Sequence, residues 1–202
     1  HDDRSRDLAL RNQELSLGSV TFIGQSRGGM VGIRLAATQP QHVSGLVLIG
    51  TSARAEFPER LEHWRRQRDI LCHGTDRARK EQCEAIQEQI NGKAWLENNP
   101  VAAAHERNIM LSHDWKGIAL ALDAAVFTRG DIRELLPDIQ VPTLIICGEE
   151  DSATPVELSR EMADTIPDAK MVILAKTGHH PPVEDAPGVT AAMAEFLKPG
   201  LF

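Results

Sequence analysis

A serine set among glycines, in Gly24-Gln25-Ser26-Arg27-Gly28-Gly29, is the stretch of this chain best suited to covalent chemistry. A serine hydroxyl is a weak nucleophile until an imidazole takes its proton. The imidazole in turn needs a carboxylate on its other nitrogen to fix its tautomer and stabilise the cation. Candidates for both partners lie far downstream. Glu149, Glu150 and Asp151 occur in Gly148-Glu-Glu-Asp-Ser-Ala-Thr-Pro155, and His179 and His180 in Lys176-Thr-Gly-His-His-Pro181. Each has an ordinary explanation on its own, as a helix N-terminal charge or a solvated loop histidine. Taken in the order serine, acid, histidine they are the set that acyl transfer requires.

The surrounding elements deliver these groups to one place. Val20 to Ile23 reads as a buried strand, and Gly24, Gly28 and Gly29 are expected to remove side chains that a tight strand-to-helix turn would bring into collision. Such a turn, a nucleophile elbow, lifts the Ser26 hydroxyl above the sheet edge and leaves the backbone N–H of Arg27 free to stabilise an oxyanion. Met30, Val31, Ile33, Leu35 and Ala37 carry a helical repeat that runs to about Gln39, where Pro40 stops it. Val43 and Leu46 to Ile49 form a second apolar strand, Val141 to Cys147 a third and Lys170 to Leu174 a fourth. Helices are expected over Pro155 to Ile166 and along a last amphipathic face of Val189, Ala192, Met193, Phe196 and Leu197. Strand, helix and strand in close succession imply a parallel sheet. The carboxyl ends of its strands share one rim, so Ser26, one of the three acidic residues and one of the two histidines meet there.

Residues 52–136 are a different kind of sequence. They are rich in Arg, Glu and Gln, lack a convincing strand, and read as helices broken near Gly74, Gly92 and Asn98-Asn-Pro100. Phe57, Trp64, Trp95, Trp115 and Phe127 lie in this segment, either as the core of a helical subdomain or as the walls of an apolar pocket. The division is thus a core made of 1–51 and 137–202 with a helical cap, 52–136, inserted in it. His1 to Ser19 is less legible, because Leu8, Leu10, Leu15 and Leu17 fall between helical and alternating periods; a short, poorly formed helix closed by Gly18 is expected.

At 202 residues, 42% hydrophobic and 25% charged, the chain is long enough for one sizeable core with an insertion. A net charge of -7 with no basic block argues against a nucleic-acid or anionic-membrane partner and favours a small-molecule substrate. No apolar run approaches membrane-span length and no secretory signal is recognisable, which points to the cytoplasm. Cys72, Cys83 and Cys147 are widely spaced and odd in number, and the histidines lack ligand spacing, so no disulfide, metal or organic cofactor is expected.

The elbow G-Q-S-R-G-G, the segment V-P-T-L-I-I-C-G-E-E-D-S-A-T-P and the terminal G-H-H-P-P-V-E-D-A-P together resemble the α/β-hydrolase family, from about Gly18 to Leu197. Within it the chain looks most like small esterases and lactonases related to 3-oxoadipate enol-lactonase, which carry a helical cap. The resemblance implies Ser26 as nucleophile, Asp151 as acid, because it is third after Gly148, and His179 as base, because it follows Gly178. A serine at the elbow implies acyl transfer on a small ester or lactone. The alternatives are a cofactor-free perhydrolase of the same fold and a truncated or non-catalytic remnant. Arg27 departs from the apolar residue usual after the nucleophile, and its side chain must find solvent or a carboxylate. The family's first strands should precede the elbow, and only about twenty residues do. The resemblance is therefore to the carboxyl-terminal part of such an enzyme. It leaves the Val20 to Ile23 strand as an apolar edge available for homo-oligomer pairing.

Overall fold

The computed structural model describes residues 2–197. Its frame is a parallel sheet in the order β1 (Val20–Gln25), β2 (Val43–Ile49), β3 (Thr143–Gly148), β4 (Ala169–Leu174). The continuous apolar runs form the inner strands because both faces are covered. Along β2, Leu46 and Leu48 enter one cluster with Ile33, Leu35, Ile145 and Met162, which come from β3 and from helices α2 (Arg27–Thr38) and α8 (Val156–Thr165). Val47 and Ile49 turn to the other face, against Leu144, Ile146, Val189 and Phe196, the last two from α10 (Ala186–Phe196). Leu197, expected on the inward face of that last helix, is instead 40% exposed just beyond its end.

As expected, β1 stands at the edge of this sheet, and among the described residues no strand pairs with its outer side. Ile23, in register with Val47, is 48% exposed there. Before it runs a regular helix, α1 (Asp2–Glu14), longer and better formed than the sequence suggests. The residues it buries are Ser5, Ala9 and Asn12, spaced by one helical turn, while Leu10, Leu15 and Leu17 are 57%, 66% and 58% exposed. Leu8 packs against the core beside these small and polar residues, so of the leucines only Leu10, Leu15 and Leu17 misreport its register.

Between β2 and β3 every regular element of the described structure is helical: α3 (Pro58–His73), α4 (Asp76–Ile90), α5 (Lys93–Asn98), α6 (Pro100–Ser112) and α7 (Trp115–Leu122), then one π turn and one 3-10 turn. The breaks fall at Gly74, Gly92 and Asn99-Pro100, as the sequence indicates. Trp64 and Trp95 are buried within this insertion. Arg60, Arg68 and Arg79 lie over the rings of Trp64, Phe127 and Trp115 at 5.8, 5.5 and 5.0 Å. Trp64 also lines a mainly apolar cavity of about 220 Å³ with Leu71, Ile86, Ile90, Met110 and His113. The two ends of the insertion are tied to each other by a buried ion pair, Arg129 to Glu56 at 3.3 Å, and by the Ile132 N–H on the Ala53 carbonyl at 2.8 Å.

Candidate active site

Ser26 sits between β1 and α2 with φ 50° and ψ −117°, a backbone conformation that costs a non-glycine residue roughly 1–3 kcal/mol. The surroundings impose it. The Ser26 N–H donates to the Ile49 carbonyl at 2.9 Å, and its own carbonyl accepts the Thr51 hydroxyl at 2.6 Å and the Gly29 N–H at 3.0 Å. A Cβ on Gly24 would lie 2.5 Å from the Gly28 backbone, and one on Gly29 would lie 2.6 Å from Thr51. Gly28 departs from expectation: a Cβ there would meet nothing within 4 Å, so this glycine does not relieve a clash.

The downstream candidates separate cleanly. His179 Nδ1 is 2.9 Å from Asp151 Oδ2, and His179 Nε2 is 3.0 Å from Ser26 Oγ. Asp151 and His179 are both buried. Burial pushes the Asp151 carboxyl up, but the hydrogen bond and charge of His179 and the bonds from Thr154 outweigh it and hold it below its ordinary value. An ionised Asp151 only accepts, so Nδ1 carries the imidazole proton and Nε2 is left to accept a hydrogen bond from the Ser26 hydroxyl.

The other candidates are engaged elsewhere. Glu149 accepts the Lys176 N–H at 3.1 Å and Glu150 the Lys93 N–H at 2.8 Å. His180 Nδ1 pairs with Glu106 of α6 at 3.1 Å. Burial raises the Glu106 carboxyl, yet bonds from His180, Gln87 and Asn91 leave it below its ordinary value. Arg27 opens α2, so its N–H has no intrahelical acceptor. Its side chain is half-buried and bonds no carboxylate among the described residues. Burial, and then the charge of Arg4, push that guanidinium below its ordinary value.

Two supporting residues escaped the sequence reading. Thr154 donates its hydroxyl to Asp151 Oδ2 at 2.7 Å and its N–H to Oδ1 at 2.8 Å, and the Ala153 N–H also reaches Oδ1, at 2.9 Å. With His179, every lone-pair direction of the buried carboxylate is used. The spacing D-x-x-T at a helix start is the signal that was available. Gln25 donates its side-chain amide to the His179 carbonyl at 3.0 Å, and nothing local in the sequence marks it.

A hollow of about 390 Å³ on the insertion, between Glu84, Gln87 and Arg107, is lined by none of Ser26, Asp151 and His179. Among the described residues no group of three or more His, Cys, Asp or Glu is placed to hold a metal ion. No helix in the described structure is long and apolar enough to cross a membrane.

The sequence profile described as alpha/beta hydrolase fold matches residues 4–186. The chain belongs to the α/β-hydrolase fold family. It is similar to RutD of Stutzerimonas stutzeri (strain A1501), 29% identical over 87% of this chain and 65% of that protein. Among solved structures it resembles an esterase from Thermogutta terrifontis, with TM-score 0.82, 32% identity, and 97% of this chain and 71% of that one covered. It also resembles the enol-lactonase from Burkholderia xenovorans LB400, with TM-score 0.82, 27% identity, and 96% and 71% covered. The chain spans 62–67% of the length of the curated RutD proteins it matches.

Proposed function

We propose that this chain is a serine hydrolase cleaving a small carboxylic ester or lactone through an acyl-enzyme intermediate. One observation carries the reading: Asp151, His179 and Ser26 form a continuous hydrogen-bonded relay, with contacts of 2.9 and 3.0 Å, ending on a serine held in a strained turn. His179 Nε2 takes the Ser26 proton as Oγ attacks the carbonyl carbon, and Asp151 stabilises the resulting imidazolium. The Arg27 N–H donates to the oxyanion of the tetrahedral intermediate. That intermediate collapses as His179 returns the proton to the leaving alkoxide, leaving Ser26 acylated. Water then attacks the acyl carbon as the same imidazole takes its proton, and the imidazolium returns that proton to Ser26 Oγ as the acid leaves; in a lactone the alcohol and acid remain one molecule.

The similarity to an esterase and an enol-lactonase supports a carbon–oxygen ester bond as the target. The helical insertion acts as a cap, and its apolar cavity beside Ile90 suits an uncharged hydrocarbon portion of the substrate. The test is hydrolysis of short-chain p-nitrophenyl esters and small enol-lactones by the protein and by S26A, with hydrogen peroxide added in parallel to register peracid formation. A pre-steady-state burst of p-nitrophenol that disappears in S26A is expected. Turnover of ester and lactone that survives S26A would overturn the assignment.

A further inference from the structure

Glu184 lies on a four-residue helix, α9 (Pro181–Glu184), five positions after His179. Its carboxylate reaches well beyond that helix. Oε1 accepts the His180 N–H at 2.9 Å, whereas Oε2 accepts the Gly178 N–H at 2.8 Å and the Gly92 N–H at 2.6 Å. Two of these donors flank His179 and the third opens α5 in the insertion. A carboxylate that merely capped α9 would need His180 alone, and Pro181 and Pro182 offer it no N–H.

The same seam holds His179 directly. Its N–H donates to the Ile90 carbonyl, the last residue of α4, at 2.6 Å, and its carbonyl accepts Gln25. The backbones meet closely: a Cβ on Gly178 would lie 2.5 Å from the Gly92 nitrogen, and one on Gly92 would lie 2.5 Å from the Lys176 carbonyl oxygen. Glu150 on the Lys93 N–H, Ser152 on the Gln89 carbonyl and Glu106 on His180 extend the contact to the acid loop and to α6. The mount of the histidine is therefore shared between core and insertion.

We infer that Glu184 is a positioning residue for His179: it fastens the histidine loop to the α4–α5 junction, so the imidazole is aligned on Ser26 only while that part of the insertion is seated. This rests on the serine-hydrolase reading for its consequence in rate. Its consequence for the imidazole itself is independent of that reading.

The experiment compares wild type, E184A and E184Q by fluorophosphonate labelling rate at Ser26, by kcat and KM on an ester, by thermal midpoint, and by the downfield His179 Nδ1–H resonance, assigned through its loss in H179N. E184A is expected to label on the order of 10²-fold more slowly, with kcat reduced far more than KM, far-UV dichroism preserved and the resonance broadened or lost. E184Q keeps an oxygen for Gly92 and Gly178 but turns an amide N–H toward His180, and should fall between the two; it carries the test if E184A does not fold. A lower thermal midpoint with labelling, kcat and resonance all at wild-type values would overturn the inference. If wild type itself takes no label, the hydrolase reading fails, and the resonance decides the positioning role: lost in the Glu184 variants, it stands; unchanged, it falls.

Discussion

His179 Nε2 lies 3.0 Å from Ser26 Oγ across 153 positions of sequence, and the approach is set by backbone bonds on both sides. Ser26 is tied to the end of β2 through Ile49 and Thr51, and His179 to Ile90 and Gln25. Two short side chains meet because their main chains are pinned.

Removing any member of this relay should remove the chemistry while sparing the fold. S26A and H179N are each expected to lower kcat by about 10⁴-fold or more, with the double variant little worse than either, because residues that act as one unit are not additive. D151N should cost about 10⁴-fold by releasing the tautomer in which Nδ1 carries the proton. Steady-state kinetics on one ester, beside dichroism spectra, checks all three.

Thr154 offers a subtler change. T154V keeps the volume but takes away the hydroxyl that bonds Asp151 Oδ2 in a buried site, so stability should fall by about 1–3 kcal/mol. Activity should drop with it, since the same oxygen orients His179; chemical denaturation and kcat on the one variant report both.

Acid should expose the carboxylates. Asp151 and Glu106 are held below their ordinary values in the folded protein, so each binds its proton more weakly there than in the unfolded chain. Their stabilising contribution is fully present above roughly pH 4, the unfolded carboxylate range, and is lost as pH falls through the depressed folded values. Thermal midpoints measured from pH 6 downward should fall less steeply in D151N than in wild type.

The elbow glycines should divide. Gly29→Ala places a methyl 2.6 Å from Thr51, whose hydroxyl holds the Ser26 carbonyl, and is expected to cost about 1–3 kcal/mol along with activity. Gly28→Ala, with nothing within 4 Å, should be tolerated. Denaturation midpoints of the pair test this.

The strands and the three hydrogen-bonded residues were legible because continuous apolar runs mark buried parallel strands and because Ser26, Asp151 and His179 sit just past their ends. The choice of Asp151 over Glu149 and Glu150 needed the family likeness, since all three share one loop, and only the geometry sends Glu150 to Lys93 and His180 to Glu106. Helix α1 was poorly legible because Ser5, Ala9 and Asn12 share its packed face with Leu8 alone among the leucines. Glu184 and Gln25 act on backbone atoms brought to them by tertiary packing, and residue type alone carries no trace of that.

Peptide mass spectrometry of the folded protein after fluorophosphonate treatment reads the nucleophile directly. One adduct per chain on Ser26, absent in H179N on the same timescale, is the expected result. Folded protein that takes no label, or takes it on another residue with Ser26 unmodified, would contradict a serine hydrolase built on Ser26, His179 and Asp151.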